Sequence, residues 1–139
     1  MLDFYTETGY SKNAKGEKRH KIEVLKDLWI CMVSREASIL GRREVLNGKA
    51  KFGILGDGKE LAQVALARSF RKGDFRAGYY RDQTMMFALG LATVEQFFAQ
   101  LYADSDNDPF SRGRQMNNHF ATRLIDEKGE WIVHTDQYN

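Results

Sequence analysis

Two short segments concentrate the side chains of this sequence that could do chemistry. The first is Tyr79-Tyr80-Arg81-Asp82, placed where an extended stretch should give way to a helix. Backbone N–H groups and a guanidinium can converge on an anion at such a junction. Arginine offers a planar fork to phosphate oxygens, and tyrosine adds one directional hydroxyl. The plainer account pairs Arg81 with a nearby carboxylate such as Asp74 or Asp82, and the four residues by themselves favour it. The second segment is Gly113-Arg114-Gln115-Met116-Asn117-Asn118-His119-Phe120, with Arg112 and Arg114 making its surroundings electropositive. Its amides and cations suit an anionic substrate or cofactor, with Arg114 and Gln115 as candidate contacts. An imidazole can donate or accept a proton near neutral pH, which makes His119 the candidate catalytic group. A lone loop histidine is more often a structural hydrogen bonder.

Metal chemistry finds less support. Gly56-Asp57-Gly58 has the form of a metal-holding turn, but such a site needs an asparagine to complete the oxygen shell around Mg2+. Asn117-Asn118 lie about twice too far along the chain for that. Asp57 is better read as a helix cap to which Glu60 reaches back. His20 and His134 lack ligand spacing to His119, Cys31 or a carboxylate cluster, so no metal site is expected from this chain alone.

The elements that must position these segments follow from periodicity and punctuation. From residue 21 to 46, Ile22, Leu25, Trp29, Met32, Ile39 and Leu40 fall mostly at helical spacing, and Gly48 is placed to stop the helix. A second helix opens at Asp57 and carries Leu61, Val64, Ala65 and Phe70 until Gly73 ends it. Its Ala62, Ala65 and Ala67 leave room for another backbone to approach. Residues 76–80 read as a short strand or extended turn, with a third helix beginning near Asp82. Thr93 and Gln96 form a capping-box pair ahead of Phe97, Phe98, Leu101 and Tyr102. From Asp104 to Asn118 the chain is too polar for core, which makes it the place to look for function.

Composition sets the outer bounds. At 139 residues, 42% hydrophobic and 29% charged, the chain suits one domain with a modest core. It divides into a polar basic lead-in (1–20), a helix-rich α/β body (21–125) and a polar tail (126–139). A net charge of +2 is too small to argue for nucleic acid, although Lys12, Lys15, Lys18, Arg19, His20 and Lys21 form a local basic run. Cys31 is the only cysteine, which excludes an intrachain disulfide. No apolar block is long enough for a signal peptide or a membrane span, so the expectation is a cytoplasmic protein.

In order and spacing, four features resemble one family. They are Gly58-Lys59-Glu60 opening an Ala-rich helix, Arg71-Lys72-Gly73-Asp74, Tyr79-Tyr80-Arg81-Asp82, and Gly113-Arg114-Gln115-Met116 followed by His119. The set is similar to the N-terminal part of the α subunit of thiamine-diphosphate-dependent 2-oxo acid dehydrogenases of the branched-chain type, over roughly residues 21–120. The resemblance implies part of a thiamine-diphosphate-binding fold with an incomplete sheet. It implies oxidative decarboxylation of a 2-oxo acid, with the acyl group passed to a lipoyl arm. By position, Tyr80 and Arg81 match the pair that contacts the cofactor diphosphate, and Tyr79 stands where the branched-chain enzymes have Gln. His119 matches the histidine near the reactive end of the cofactor, and Arg114-Gln115-Met116 in place of Gly-Ser-Met leans the substrate toward branched-chain acids. The implied cofactor is thiamine diphosphate with Mg2+, whose ligands are expected beyond this chain, so the chain alone is expected to be inactive. The implied partners are a β subunit or fused β-type domain and the lipoyl domain of the acyltransferase component, in an oligomer without nucleic acid or membrane.

Two other classes compete. One is a non-catalytic helical interaction module whose apolar faces dock a partner. The other is nucleic-acid binding through Arg68, Arg71, Arg76, Arg112 and Arg114, which needs those residues on one face and fits the near-neutral charge poorly.

Overall fold

The computed structural model describes residues 16–71, 74–114, 116–122 and 128–130. The lead-in before residue 16, the Gly73 helix stop, Gln115, His134 and the tail beyond residue 130 lie outside the described residues. Among the described residues there are four helices: α1 (Gly16–Leu46), α2 (Glu60–Ser69), α3 (Gln83–Ala88) and α4 (Val94–Leu101), with a 3-10 turn at Tyr80–Asp82 leading into α3. No strand occurs among the described residues, so residues 76–79 take the extended-turn form and Tyr80 already belongs to the 3-10 turn, and the expected sheet is not seen there.

The long helix begins at Gly16, so residues 16–20 of the expected lead-in belong to it. It ends as expected, with Gly48 at φ 73° donating its N–H to the Val45 carbonyl at 3.0 Å. Its packing face is not the apolar stripe. Leu25 is 62% exposed, Met32 57% and Leu46 79%, while Ile30, Ser34, Ala37, Ser38 and Glu44 are buried. Small and polar side chains on the inner face let α2 and α3 approach closely, and hydrogen bonds there add to the apolar contacts of Ile30 and Ala37. Ser34 Oγ lies 2.7 Å from Thr84 Oγ1, and Gln83 Nε2 donates to the Ser34 carbonyl at 2.8 Å.

The expected cap on α2 does not form. Asp57 pairs with Arg42 Nη2 at 2.6 Å, and the residue before the helix, Lys59, makes no side-chain cap. Glu60 accepts instead from the Gly58 N–H at 2.9 Å and from both arms of Arg35, at 2.6 and 2.8 Å. Charge on both partners strengthens such contacts, so Arg42 takes the Asp57 carboxylate from the cap, while Glu60 holds a bidentate guanidinium and a backbone N–H together. α2 ends at Ser69, ahead of Gly73, and of its three candidate small residues only Ala67 is buried.

The capping box of α4 forms as expected: Gln96 N–H donates to Thr93 Oγ1 at 3.2 Å and Thr93 N–H to Gln96 Oε1 at 3.0 Å. Two apolar clusters make the core. One gathers Ile30, Val64, Ala67, Phe70, Met85 and Ala88. The other gathers Ala37, Met86, Ala92, Phe97 and Phe120. Neighbouring Met85 and Met86 on α3 serve one cluster each, so the helix that follows Tyr80–Asp82 is anchored on both sides. No helix among the described residues is long and apolar enough to cross a membrane.

Candidate functional site

The turn at Tyr80–Asp82 is built around Asp82. Its Oδ2 accepts from the Tyr79 N–H at 2.9 Å and from Arg76 Nη1 at 2.8 Å, and its own N–H donates to the Tyr79 carbonyl at 3.0 Å. With Asp82 taken, Arg81 does not make the carboxylate pair that the plainer reading gave it. Asp74 is used by the Arg71 N–H at 2.6 Å. Arg81 is exposed, its Nε donates to Tyr80 Oη at 3.0 Å, and its guanidinium carbon lies 5.1 Å from the Tyr80 ring centroid. Among the described residues it forms no salt bridge. A guanidinium steadied by a hydroxyl and a ring face, and not neutralised, can receive an anion.

The stretch before α2 lies against this turn. A Cβ on Gly56 would sit 3.0 Å from Arg81 Cα and 3.2 Å from the Tyr80 carbonyl oxygen, so glycine allows the two backbones to touch. Two residues earlier, Ile54 is clasped by the second candidate segment. Its N–H donates to Asn117 Oδ1 at 2.9 Å, and its carbonyl accepts from Asn117 Nδ2 at 2.9 Å and Asn118 Nδ2 at 2.8 Å. Asn118 Nδ2 also reaches Gln83 Oε1 at 3.1 Å. Residues 54–56 therefore bridge the Tyr80-Arg81 turn and the loop that carries His119.

This arrangement reassigns several candidates. Asn117 and Asn118 are fully buried with their amide N–H groups engaged by Ile54 and Gln83, so they hold the loop, and Asn118 Oδ1 is left buried without a partner among the described residues. His119 is half-buried, with Nδ1 3.1 Å from the Asn117 carbonyl oxygen. A carbonyl only accepts, so that contact places the proton on Nδ1 and leaves Nε2 as the acceptor of a neutral ring. Its own carbonyl accepts from Gln100 Nε2 at 2.9 Å. Arg114 is exposed next to this loop. The acidic turn ahead of it is self-satisfied. The Asn107 side-chain amide, and after it the Asp106 and Asn107 backbone N–H groups, donate to Asp104 and hold its carboxyl below the usual range. Buried Asp108 accepts from the Phe110 and Gly113 N–H groups and from Ser111 Oγ.

The proposed arginine face for nucleic acid is broken up. Arg68 pairs with Asp27 at 2.6 Å and Arg76 with Asp82. Among the described residues no group of three or more His, Cys, Asp or Glu could hold a metal ion. The sequence offered Gly56 only as part of a metal-type turn, Arg76 only as a candidate for nucleic acid, and Gln83 no role at all. Apart from Asp82, their partners lie far off along the chain, and no short motif marks them.

The family model described as the dehydrogenase E1 component matches residues 32–137, which takes in both candidate segments. The chain belongs to this family. E1 components of this family depend on thiamine diphosphate. The 2-oxoisovalerate dehydrogenase subunit alpha of Bacillus subtilis (strain 168) is similar to the chain at 37% identity over 78 residues, covering 55% of this chain and 23% of that protein. The chain thus spans about a quarter of the length of that E1 relative. No solved structure matches it.

Proposed function

We propose that the chain is the N-terminal part of the α subunit of a cytoplasmic 2-oxo acid dehydrogenase E1 component. The reaction is oxidative decarboxylation of a 2-oxo acid with acyl transfer to a lipoyl domain. Branched-chain acids are the preferred substrates, in keeping with Arg114-Gln115-Met116 and with the name of the Bacillus subtilis relative. The partner is a β-type subunit or domain, within an oligomer. The fragment by itself is inactive, because the Mg2+ ligands and part of the thiamine-diphosphate-binding fold, including its sheet, are supplied outside these residues.

The observation that carries the reading is Arg81: an exposed guanidinium, steadied by Tyr80 and free of any carboxylate pair among the described residues, beside the backbone of Gly56. Those residues fit the diphosphate end of thiamine diphosphate. Arg81 offers two parallel N–H donors, Tyr80 orients it, and Tyr79, largely exposed, stands beside them as a third contact. When bound, the cofactor supplies the carbanion that releases carbon dioxide from the 2-oxo acid. His119 keeps one ring nitrogen fixed on the Asn117 carbonyl, which orients the imidazole to hold or deliver a proton during acyl transfer. We assign Arg114 and Gln115 to the substrate carboxylate, on the chemistry of a guanidinium and an amide in the Gly113–Met116 run.

Titration calorimetry with thiamine diphosphate, on the protein assembled with its β-type partner, tests the assignment. Arg81→Ala is expected to weaken binding by roughly tenfold or more, the loss of a charge-assisted pair, while thiamine lacking the diphosphate binds both proteins alike. Equal affinities of both proteins for thiamine diphosphate would sink the assignment. The interaction-module reading draws on a different observation, the apolar stripe of α1, and would take the lead in that event.

A further inference from the structure

Arg76 is the side chain on which the two candidate segments meet. Its Nη1 donates to Asp82 Oδ2 at 2.8 Å and its Nη2 to the Phe120 carbonyl oxygen at 2.6 Å. Asp82 Oδ2 also takes the Tyr79 N–H, so the guanidinium and the turn share one carboxylate oxygen. Phe120 is the residue after His119, and its ring packs edge-on against Phe110 with centroids 5.0 Å apart. A single planar group thus runs from the turn that presents Arg81 to the peptide adjoining His119.

The surroundings show that this placement has a cost. The Arg76 side chain is only 10% exposed, and its Nε is buried without a hydrogen-bond partner among the described residues. A buried, unpaired N–H lowers stability. Local costs of that kind collect at functional sites. Gly78 makes the placement possible, because a Cβ there would fall on the Arg76 guanidinium. Lysine could keep the charge opposite Asp82. It could not present two coplanar N–H groups to two acceptors on different segments.

We propose that Arg76 is a positioning residue that sets the Tyr80-Arg81 turn and the His119 loop relative to one another, through Asp82 on one side and the Phe120 carbonyl on the other. The proposal rests on the reading of Arg81 as the diphosphate contact and of His119 as the acyl-transfer group. It adds a residue that touches neither ligand and governs both.

Hydrogen exchange on the whole chain reads the link without any cofactor. In Arg76→Lys, and again in Gly78→Ala, the amides of residues 79–82 and of residues 116–122 should exchange faster together, by roughly tenfold. The amides of α4 should keep their rates. Acceleration in only one segment, or spread evenly over all the helices, overturns the link. In the protein assembled with its β-type partner, Arg76→Lys should weaken thiamine diphosphate binding in calorimetry. At saturating cofactor it should slow acyl transfer to the lipoyl domain while leaving the KM for the 2-oxo acid unchanged. Wild-type affinity and wild-type transfer in the variant overturn the positioning role. Wild-type protein that binds no thiamine diphosphate overturns the functional reading and with it the role of Arg76, while the exchange rates still decide whether the link exists, so the two failures are told apart.

Discussion

Asn118 shows how much of the site is held by single side chains. Its backbone is left-handed, at φ 63°, and its buried Nδ2 serves both Ile54 and Gln83. Asparagine tolerates that backbone better than most residues, and glycine better still. Asn118→Ala loses both hydrogen bonds and adds backbone strain, for an expected cost of about 3 kcal/mol. Asn118→Gly loses the same bonds without the strain and should be less destabilised by about 1 kcal/mol. Urea unfolding of the two variants measures the difference. Equal stabilities would mean that the left-handed turn is relaxed and does not depend on the residue type. In the sequence, Asn117-Asn118 looked like donors for a ligand because composition reports which groups are present and not which are already used. His119 and Arg81 were legible for the opposite reason: each sits in a short run whose order along the chain carries the family pattern.

Between elements, the Arg35 and Glu60 pair joins α1 to the start of α2, as the Arg68 and Asp27 pair joins α1 to its end. Hydrogen bonds from Arg35 hold the Glu60 carboxyl at about 2, helped by the Gly58 N–H and opposed by desolvation. Its folded value is depressed below the ordinary 4.5, so the stabilisation is complete above about pH 4.5 and is lost as pH falls toward 2. Glu44, lowered first by its hydrogen bond from Tyr102, acts with the same sign. The difference between proteins is therefore the quantity to read. Thermal unfolding of Glu60→Gln should show a shallower loss of Tm than wild type between pH 4.5 and 2, and parallel curves would deny the pair its role. The same pair explains which element boundaries could be read. The Thr93 and Gln96 box joins residues three apart, and nothing distant competes for it. Asp57 and Glu60 show the same local signal, yet Arg42 and Arg35 on α1 claim them across 15 and 25 residues. A spacing rule cannot see such competitors, just as it cannot see Arg76 reaching Phe120 across 44 residues.

At the scale of the molecule, the inverted face of α1 decides what the chain can do by itself. Leu25, Met32, Ile39 and Leu46 recur every seven residues and are all exposed, with Trp29 beside them at 44%. Hydropathy marked that stripe as helical, correctly. The side that packs inward was hidden from it because Ser34, Ala37 and Ser38 carry almost no apolar signal. An exposed apolar row of this length is a surface that association would bury. Under the proposed function, the β-type partner and the remainder of the E1 component supply that cover together with the Mg2+ ligands, so shielding and activity should arrive together. The only other tryptophan is Trp131, which makes Trp131→Phe a single-probe background for Trp29. In the isolated chain its emission should be quenched readily by acrylamide, with no turnover of 2-oxoisovalerate in the presence of thiamine diphosphate, Mg2+ and an electron acceptor. In the assembled protein quenching should fall and turnover appear. Turnover while Trp29 stays open to quencher would show that the stripe serves some other contact, and that the catalytic assembly leaves this face of α1 uncovered.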